Sequence, residues 1–151
     1  MRRLQDRARS VKVDLVLENT IDGTASILGI ASLMEEIFFN LLDNGIKYNH
    51  EGGRVMLALS ETENKYVVKV SDTGMGIDAA ELPHIFERFY RVDRSRHKAI
   101  EGTGLGLSIV KHGVLFHGGT VRVNSTAGQG TEFIMKFPKM SACIQDSSQD
   151  M

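Results

Sequence analysis

Glu36, Asn40 and Asn44 stand at i, i+4 and i+8, so on a helix a carboxylate and two carboxamides share one face. Carboxamide oxygens are hard ligands that Mg²⁺ accepts beside waters and phosphate oxygens. Lys47, just beyond, is long enough to reach a phosphate. The same stripe serves equally well as the solvated side of an amphipathic helix. A second group, Asp72-Thr73-Gly74-Met75-Gly76, sets a carboxylate ahead of two glycines. Such a carboxylate can accept a hydrogen bond from an adenine amino group, and glycines let a base approach the backbone. Taken alone, Asp-x-Gly is more simply a turn.

Two further glycine clusters follow. Gly102-Thr103-Gly104-Leu105-Gly106-Leu107 opens a helical stretch, where free N–H groups and the positive end of the helix dipole suit a phosphate. It is neither a dinucleotide fingerprint, which requires glycine in place of Leu107, nor a P-loop, which requires a lysine and a Ser or Thr. A hinge is the alternative. Gly128-Gln129-Gly130-Thr131 is a tight turn into a strand, and Thr131 could put a hydroxyl beneath a bound base. Between the second and third groups, residues 88–98 carry five Arg or Lys in eleven positions. A basic segment beside a phosphate loop can close over a triphosphate and offset its charge. Otherwise it is a solvated loop or a nucleic-acid contact.

The rest of the chain must position these groups. Its 151 residues suit one domain, and 42% hydrophobic with 25% charged residues is ordinary for a globular protein. A formal net charge of -1 argues against a globally basic nucleic-acid binder. The single cysteine, Cys143, leaves no internal disulfide to form and fits a reducing compartment. No apolar run approaches the ~20 residues of a membrane helix, and the basic start has no apolar stretch behind it, so it is no signal peptide.

Residues 1–10 read as a helix end or linker, 11–17 as a strand, and 25–28 as a short strand. Ser32 with Glu35 three residues on makes a capping box, and apolar residues at Leu33, Ile37, Leu41 and Met34, Phe38, Leu42 predict a helix from there to Tyr48. Residues 54–60 and 65–70 form a hairpin. Residues 79–90 are partly helical near Pro83, 91–103 form a loop, and 106–116 form a helix that Gly113 weakens. Residues 120–124 and 131–137 are the last strands, and residues 139–151 are a polar tail. This order predicts an α+β fold, a two-layer α/β sandwich with helices on one face of a mixed, mostly antiparallel sheet.

All the groups, taken in chain order, resemble the GHKL ATPases and, within them, the sensor histidine kinases. The N box matches residues 40–48, the first glycine box 72–76, the F box Phe86-Glu87-Arg88-Phe89-Tyr90, the second glycine box 102–106 and the last glycine turn 128–131. The resemblance covers residues 11–138 and implies the Bergerat ATP-binding fold, with ATP and Mg²⁺ as cofactors and residues 91–101 as the ATP lid. By that resemblance Asn40, Asn44, Lys47 and Arg91 form the catalytic set. Asn44 binds Mg²⁺, Asn40 assists with the metal or its waters, Lys47 lies by the phosphates, and Arg91 faces the γ-phosphate from the lid. Tyr48 lies by the adenine pocket, Asp72 bonds the adenine amine, and Gly74 and Gly76 shape the pocket. The backbone of Gly102, Thr103, Gly104, Leu105, Gly106 and Leu107 cradles the phosphates, with Thr131 beneath the base.

Gyrase- and HSP90-type relatives usually carry a glutamate where Asn40 stands. An amide cannot take up a proton from water, so Asn40 favours phosphoryl transfer to a protein over hydrolysis, with Glu36 the nearest substitute base. Gly45 replaces the alanine common in the family, at a helix-propensity cost of about 1 kcal/mol. The resemblance further implies a helical-hairpin dimerisation domain bearing the acceptor histidine, a response-regulator receiver domain as the next partner, and no nucleic acid. It implies a cytoplasmic domain of a membrane-anchored sensor, monomeric alone and homodimeric at full length. None of His50, His84, His97, His112 and His117 lies in the His-Glu/Asp-x-x-x-Pro setting of an acceptor. The expectation is a fragment that binds ATP and does not phosphorylate itself, with residues 1–10 the stub of the upstream hairpin.

Overall fold

A computed structural model describes residues 2–92 and 103–140. Helix α1 (Arg2–Ser10) leads into strand β1 (Asp14–Asn19) and helix α2 (Ala31–Lys47). The hairpin of β2 (Arg54–Glu61) and β3 (Lys65–Asp72) follows, then a 3-10 turn at Leu82–His84, helix α3 (Gly106–Phe116), and the hairpin of β4 (Thr120–Thr126) and β5 (Gly130–Pro138). The five strands form one sheet in the order β1-β2-β3-β5-β4. Only β1 pairs in parallel, with β2; the other pairings are antiparallel. This is the expected α+β sandwich with a mixed, mostly antiparallel sheet.

Alternation along the strands turns Val55, Leu57, Val68, Val70, Phe133, Met135 and Phe137 into the core, where they meet Ile37, Leu41, Ile46, Val110 and Val114 from α2 and α3. The opposite strand faces carry exposed Lys69, Arg122 and Lys136. Leu4 and Ala8 of α1 are buried in the same core. The central strands β3 and β5 run side by side through eight residue pairs, from Lys65 opposite Pro138 to Asp72 opposite Thr131. That register puts the ends of the two glycine-bearing turns next to each other.

Several local expectations change. Strand β1 starts at Asp14 because residues 11–13 are spent on a turn: Lys12 has φ 55°, its carbonyl accepts from the Gly52 N–H at 2.8 Å, and the Val13 N–H donates to the Ala8 carbonyl at 2.9 Å. Residues 25–28 form no strand; the Ser26 N–H instead donates to the Tyr66 hydroxyl at 3.3 Å. The capping box at Ser32 does not form. Helix α2 already begins at Ala31, with Ile30 as N-cap and no side-chain cap. The Ile30 N–H is held by His117 Nε2 at 3.0 Å, so a residue from the end of α3 fixes where α2 starts. Residues 78–90 pass through three-residue turns, with N–H groups of Glu81, His84, Glu87 and Tyr90 donating to the carbonyls three positions earlier.

Candidate nucleotide site

One cleft collects the groups singled out from the sequence. Asn40, Asp43, Asn44, Lys47 and Tyr48 of α2 form one wall. Asp72 at the end of β3 and Thr131 and Phe133 of β5 form the floor. Met75, Gly76, Ile77, Ile85, Tyr90, Arg91 and Val92 close one side, and Thr103, Gly104, Gly106 and Leu107 bring in the start of α3. Asn40, Asp43, Asn44 and Lys47 share this wall because they recur at i, i+3, i+4 and i+7 on a 3.6-residue helix.

The floor sets the Asp72 carboxylate and the Thr131 hydroxyl beside the Phe133 ring. The Asp72 carboxylate accepts from the Gly74 N–H at 2.8 Å. Burial pushes its pKa above the usual carboxylate value, opposed by backbone hydrogen bonds from Gly74 and Thr131. A half-buried acceptor beside an aromatic ring suits the exocyclic amine of a base. A Cβ at Gly74 would stand 2.5 Å from the Tyr48 carbonyl oxygen, so the turn reaches α2 only with glycine. The turn is pinned on its far side by Ser125. That hydroxyl donates to the Gly130 carbonyl at 2.9 Å, accepts from the Ile77 N–H at 2.8 Å, and lies 2.9 Å from the Thr131 hydroxyl. The Gly128 N–H donates to the Met75 carbonyl at 2.6 Å. Phe86 of the F box meets Phe133 edge-on at 6.3 Å, which ties the far wall to the floor.

The other end of the cleft suits anions and a cation. Helix α3 starts at Gly106 without a side-chain cap, so first-turn N–H groups and the positive dipole end face the cleft. Asn40 lies against this start: a Cβ on Gly106 would sit 3.2 Å from Asn40 Oδ1. Asn40 Nδ2 is buried without a hydrogen-bond partner among the described residues. A buried donor of this kind costs about 1–3 kcal/mol unless something binds it. Phosphate oxygens supply acceptors for it, and its own oxygen and that of Asn44 are ligands a Mg²⁺ ion accepts, so the residues present fit both groups. Lys47 Nζ is 3.0 Å from Asp43 Oδ2, and the other oxygen of Asp43 pairs with Arg7.

The sequence-predicted residues Asn40, Asn44, Lys47, Tyr48, Asp72, Gly76, Arg91, Thr103, Gly104, Gly106, Leu107 and Thr131 all line the cleft. Gly74 and Leu105 shape it from behind: Gly74 sits in the turn, and the Leu105 N–H donates to Thr103 Oγ1 at 3.3 Å. Gly102 and residues 93–101 of the expected lid lie outside the described residues. Glu36, the nearest substitute base in the sequence, is exposed and does not line the cleft. Asp43 and Ser125 were not singled out from the sequence. The Glu36-Asn40-Asn44 spacing skips Asp43, and Ser125 reads as the edge of a turn.

The sequence matches the histidine kinase-, DNA gyrase B- and HSP90-like ATPase family over residues 29–141. It is 41% identical over 106 residues to the sensor protein SrrB of Staphylococcus aureus, a stretch that is 70% of this chain. The chain spans 18% of the length of that relative. The fold is similar to that of the mycobacterial sensor histidine kinase MprB, with a TM-score of 0.78 and 31% identity over 91% of each chain. Full-length ShkA, solved in complex with AMPPNP, gives a TM-score of 0.76 and 29% identity over 91% of this chain and 29% of that one. Among the described residues no helix is long and apolar enough to cross a membrane. The four motifs on one cleft, on this fold and with these relatives, mean that the chain belongs to the histidine kinase-, DNA gyrase B- and HSP90-like ATPase family, an ATP-binding family, as a homologue of sensor histidine kinases.

Proposed function

We propose that this domain binds Mg-ATP in the cleft and donates the γ-phosphoryl group to a histidine on a separate dimerisation hairpin, from which a response-regulator receiver domain takes it. The parent protein is then a membrane-anchored sensor with this domain on its cytoplasmic side. The observation that carries the reading is the meeting, in one cleft, of the half-buried Asp72 carboxylate with the uncapped start of α3 and the Asn40 Nδ2, buried without a partner among the described residues. Asp72 accepts from the adenine amine. The first turn of α3 and Lys47 hold the phosphates, and Asn44 and Asn40 hold the metal. Bound there, Mg²⁺ supplies charge neutralisation on the phosphates.

The residues favour transfer over hydrolysis. Among the described residues, the carboxylates lining the cleft are Asp43, engaged by Arg7 and Lys47, and Asp72, at the base end. Neither is placed to activate a water at the γ-phosphate, and Asn40 has no proton-accepting group. Positioning and charge stabilisation are what remain, as in phosphoryl transfer generally. ShkA, a relative solved with AMPPNP, supports the nucleotide assignment.

The test is a calorimetric titration with Mg-ATP, followed by supply of a kinase hairpin domain and assay for acid-labile phosphate. Binding by the wild type, its loss in Asn44→Ala, and labelled hairpin are expected. Binding without any transfer would mark a regulatory nucleotide module, and steady hydrolysis by the domain alone would mark a gyrase- or HSP90-type ATPase.

A further inference from the structure

Among the described residues, Asp43 is the one cleft carboxylate that the nucleotide assignment leaves without a task. It is 6% exposed, and its two oxygens point to different elements. Oδ1 pairs with the Arg7 guanidinium of α1, and Oδ2 lies 3.0 Å from Lys47 Nζ in the cleft wall. Arg7 is 36 residues away from Asp43 in sequence and does not line the cleft. Helix α1 is itself docked, since Leu4 and Ala8 are buried in the core. A guanidinium delivered by α1 therefore shares one buried carboxylate with a lysine of the phosphate wall.

We infer that Asp43 is a positioning residue through which the docking of α1 sets the strength of triphosphate binding. This rests on the reading of the cleft as a nucleotide site. With Arg7 in place, the carboxylate charge is divided between two cations, which weakens its hold on Lys47. Without Arg7, a nearly buried carboxylate is left to Lys47 alone. It then draws the ammonium back and adds uncompensated negative charge beside the phosphate site, where charges interact more strongly than in water. Docked α1 favours phosphate binding and displaced α1 opposes it. By linkage, bound triphosphate favours the docked helix in return.

The charge origin of the effect makes it specific to phosphates, and this separates it from simple destabilisation. In calorimetric titrations of the whole chain, Arg7→Met should weaken Mg-AMPPNP binding at least about 5-fold while leaving adenosine binding unchanged. Arg7→Lys, which keeps the charge, should retain most of the affinity. In an Asp43→Asn background, Arg7→Met should have no further effect, because the shared carboxylate is gone. Equal losses for adenosine and AMPPNP, or an undiminished Arg7→Met effect in Asp43→Asn, would show that α1 acts by packing alone and would overturn the inference. So would unchanged AMPPNP affinity in Arg7→Met. Failure of the wild type to bind AMPPNP would instead remove the nucleotide reading itself.

Discussion

At the scale of single residues, Asp72 keeps a half-buried carboxylate in the cleft, where the proposed function gives it a ligand to meet. Its raised pKa, caused first by burial, means that the folded chain prefers the protonated acid. The contribution to stability is then fully present below the unfolded pKa and is lost as pH rises through the folded one. Near neutral pH the ionised carboxylate works against the unliganded fold. Asp72→Asn removes that charge, so thermal unfolding of the free protein at pH 7 should move to higher temperature, and the gain should vanish in acid below the usual carboxylate range. The same change leaves an amide with a donor where an acceptor is needed, and adenine-nucleotide affinity should fall about 10- to 100-fold. An unliganded Asp72→Asn protein less stable than wild type at pH 7 would contradict the assignment. The place of Asp72 in the cleft was legible in the sequence because the glycine that bonds its carboxylate is two residues away. Asp43 was not, because Arg7, which gives it meaning, arrives from another element.

Between elements, α2 packs on α3, and Gly113 lies at their contact. On propensity alone a mid-helix glycine only weakens α3, by about 1 kcal/mol relative to alanine. In the fold, a Cβ at Gly113 would lie 2.7 Å from Ile37 Cδ1 and 3.0 Å from its Cγ1. Ile37 is wholly buried and has little room to withdraw. Overpacking of this kind typically costs about 1–3 kcal/mol, which exceeds the propensity gain. Gly113→Ala should therefore lower the urea midpoint, and pairing it with Ile37→Val should recover part of the loss. The periods of α2 and α3 could be read from the sequence because apolar spacing is local information. The start of α2 could not, since it is set by His117, whose Nδ1 lies 2.6 Å from the Gly113 carbonyl while Nε2 accepts from Ile30. The start of β1 escaped for a similar reason: Lys12 and Gly52 come together only in the folded chain. Long-range partners move boundaries by a few residues and leave the two expected hairpins intact.

For the molecule as a whole, the cleft is where distant parts of the chain are joined. Its wall comes from α2, its floor from the ends of β3 and β5, and its other end from the start of α3. Among the described residues, the Tyr48 carbonyl accepts from the Met75 N–H at 3.1 Å, the Gly104 carbonyl accepts from the Phe89 N–H at 2.9 Å, and Ser125 and Gly128 hold the turn after β3. A nucleotide bound through Asp72 at one end and the α3 start at the other would bridge all of these elements at once. Ligand that binds only the folded state adds about 2.7 kcal/mol at a hundred times its dissociation constant. For a chain of this length that corresponds to a rise in melting temperature on the order of 5–10 °C. The rise should be larger for Mg-ATP than for ATP with chelator, because Asn40 and Asn44 are proposed to meet the metal. It should be larger for ATP than for GTP, whose base carries a carbonyl where adenine has its amine and so presents no donor to Asp72. Hydrogen exchange separates a global effect from a local one: protection should increase in α2 and α3 together. Protection confined to the turn at residues 73–77 would mean that the ligand engages the base pocket without spanning the cleft.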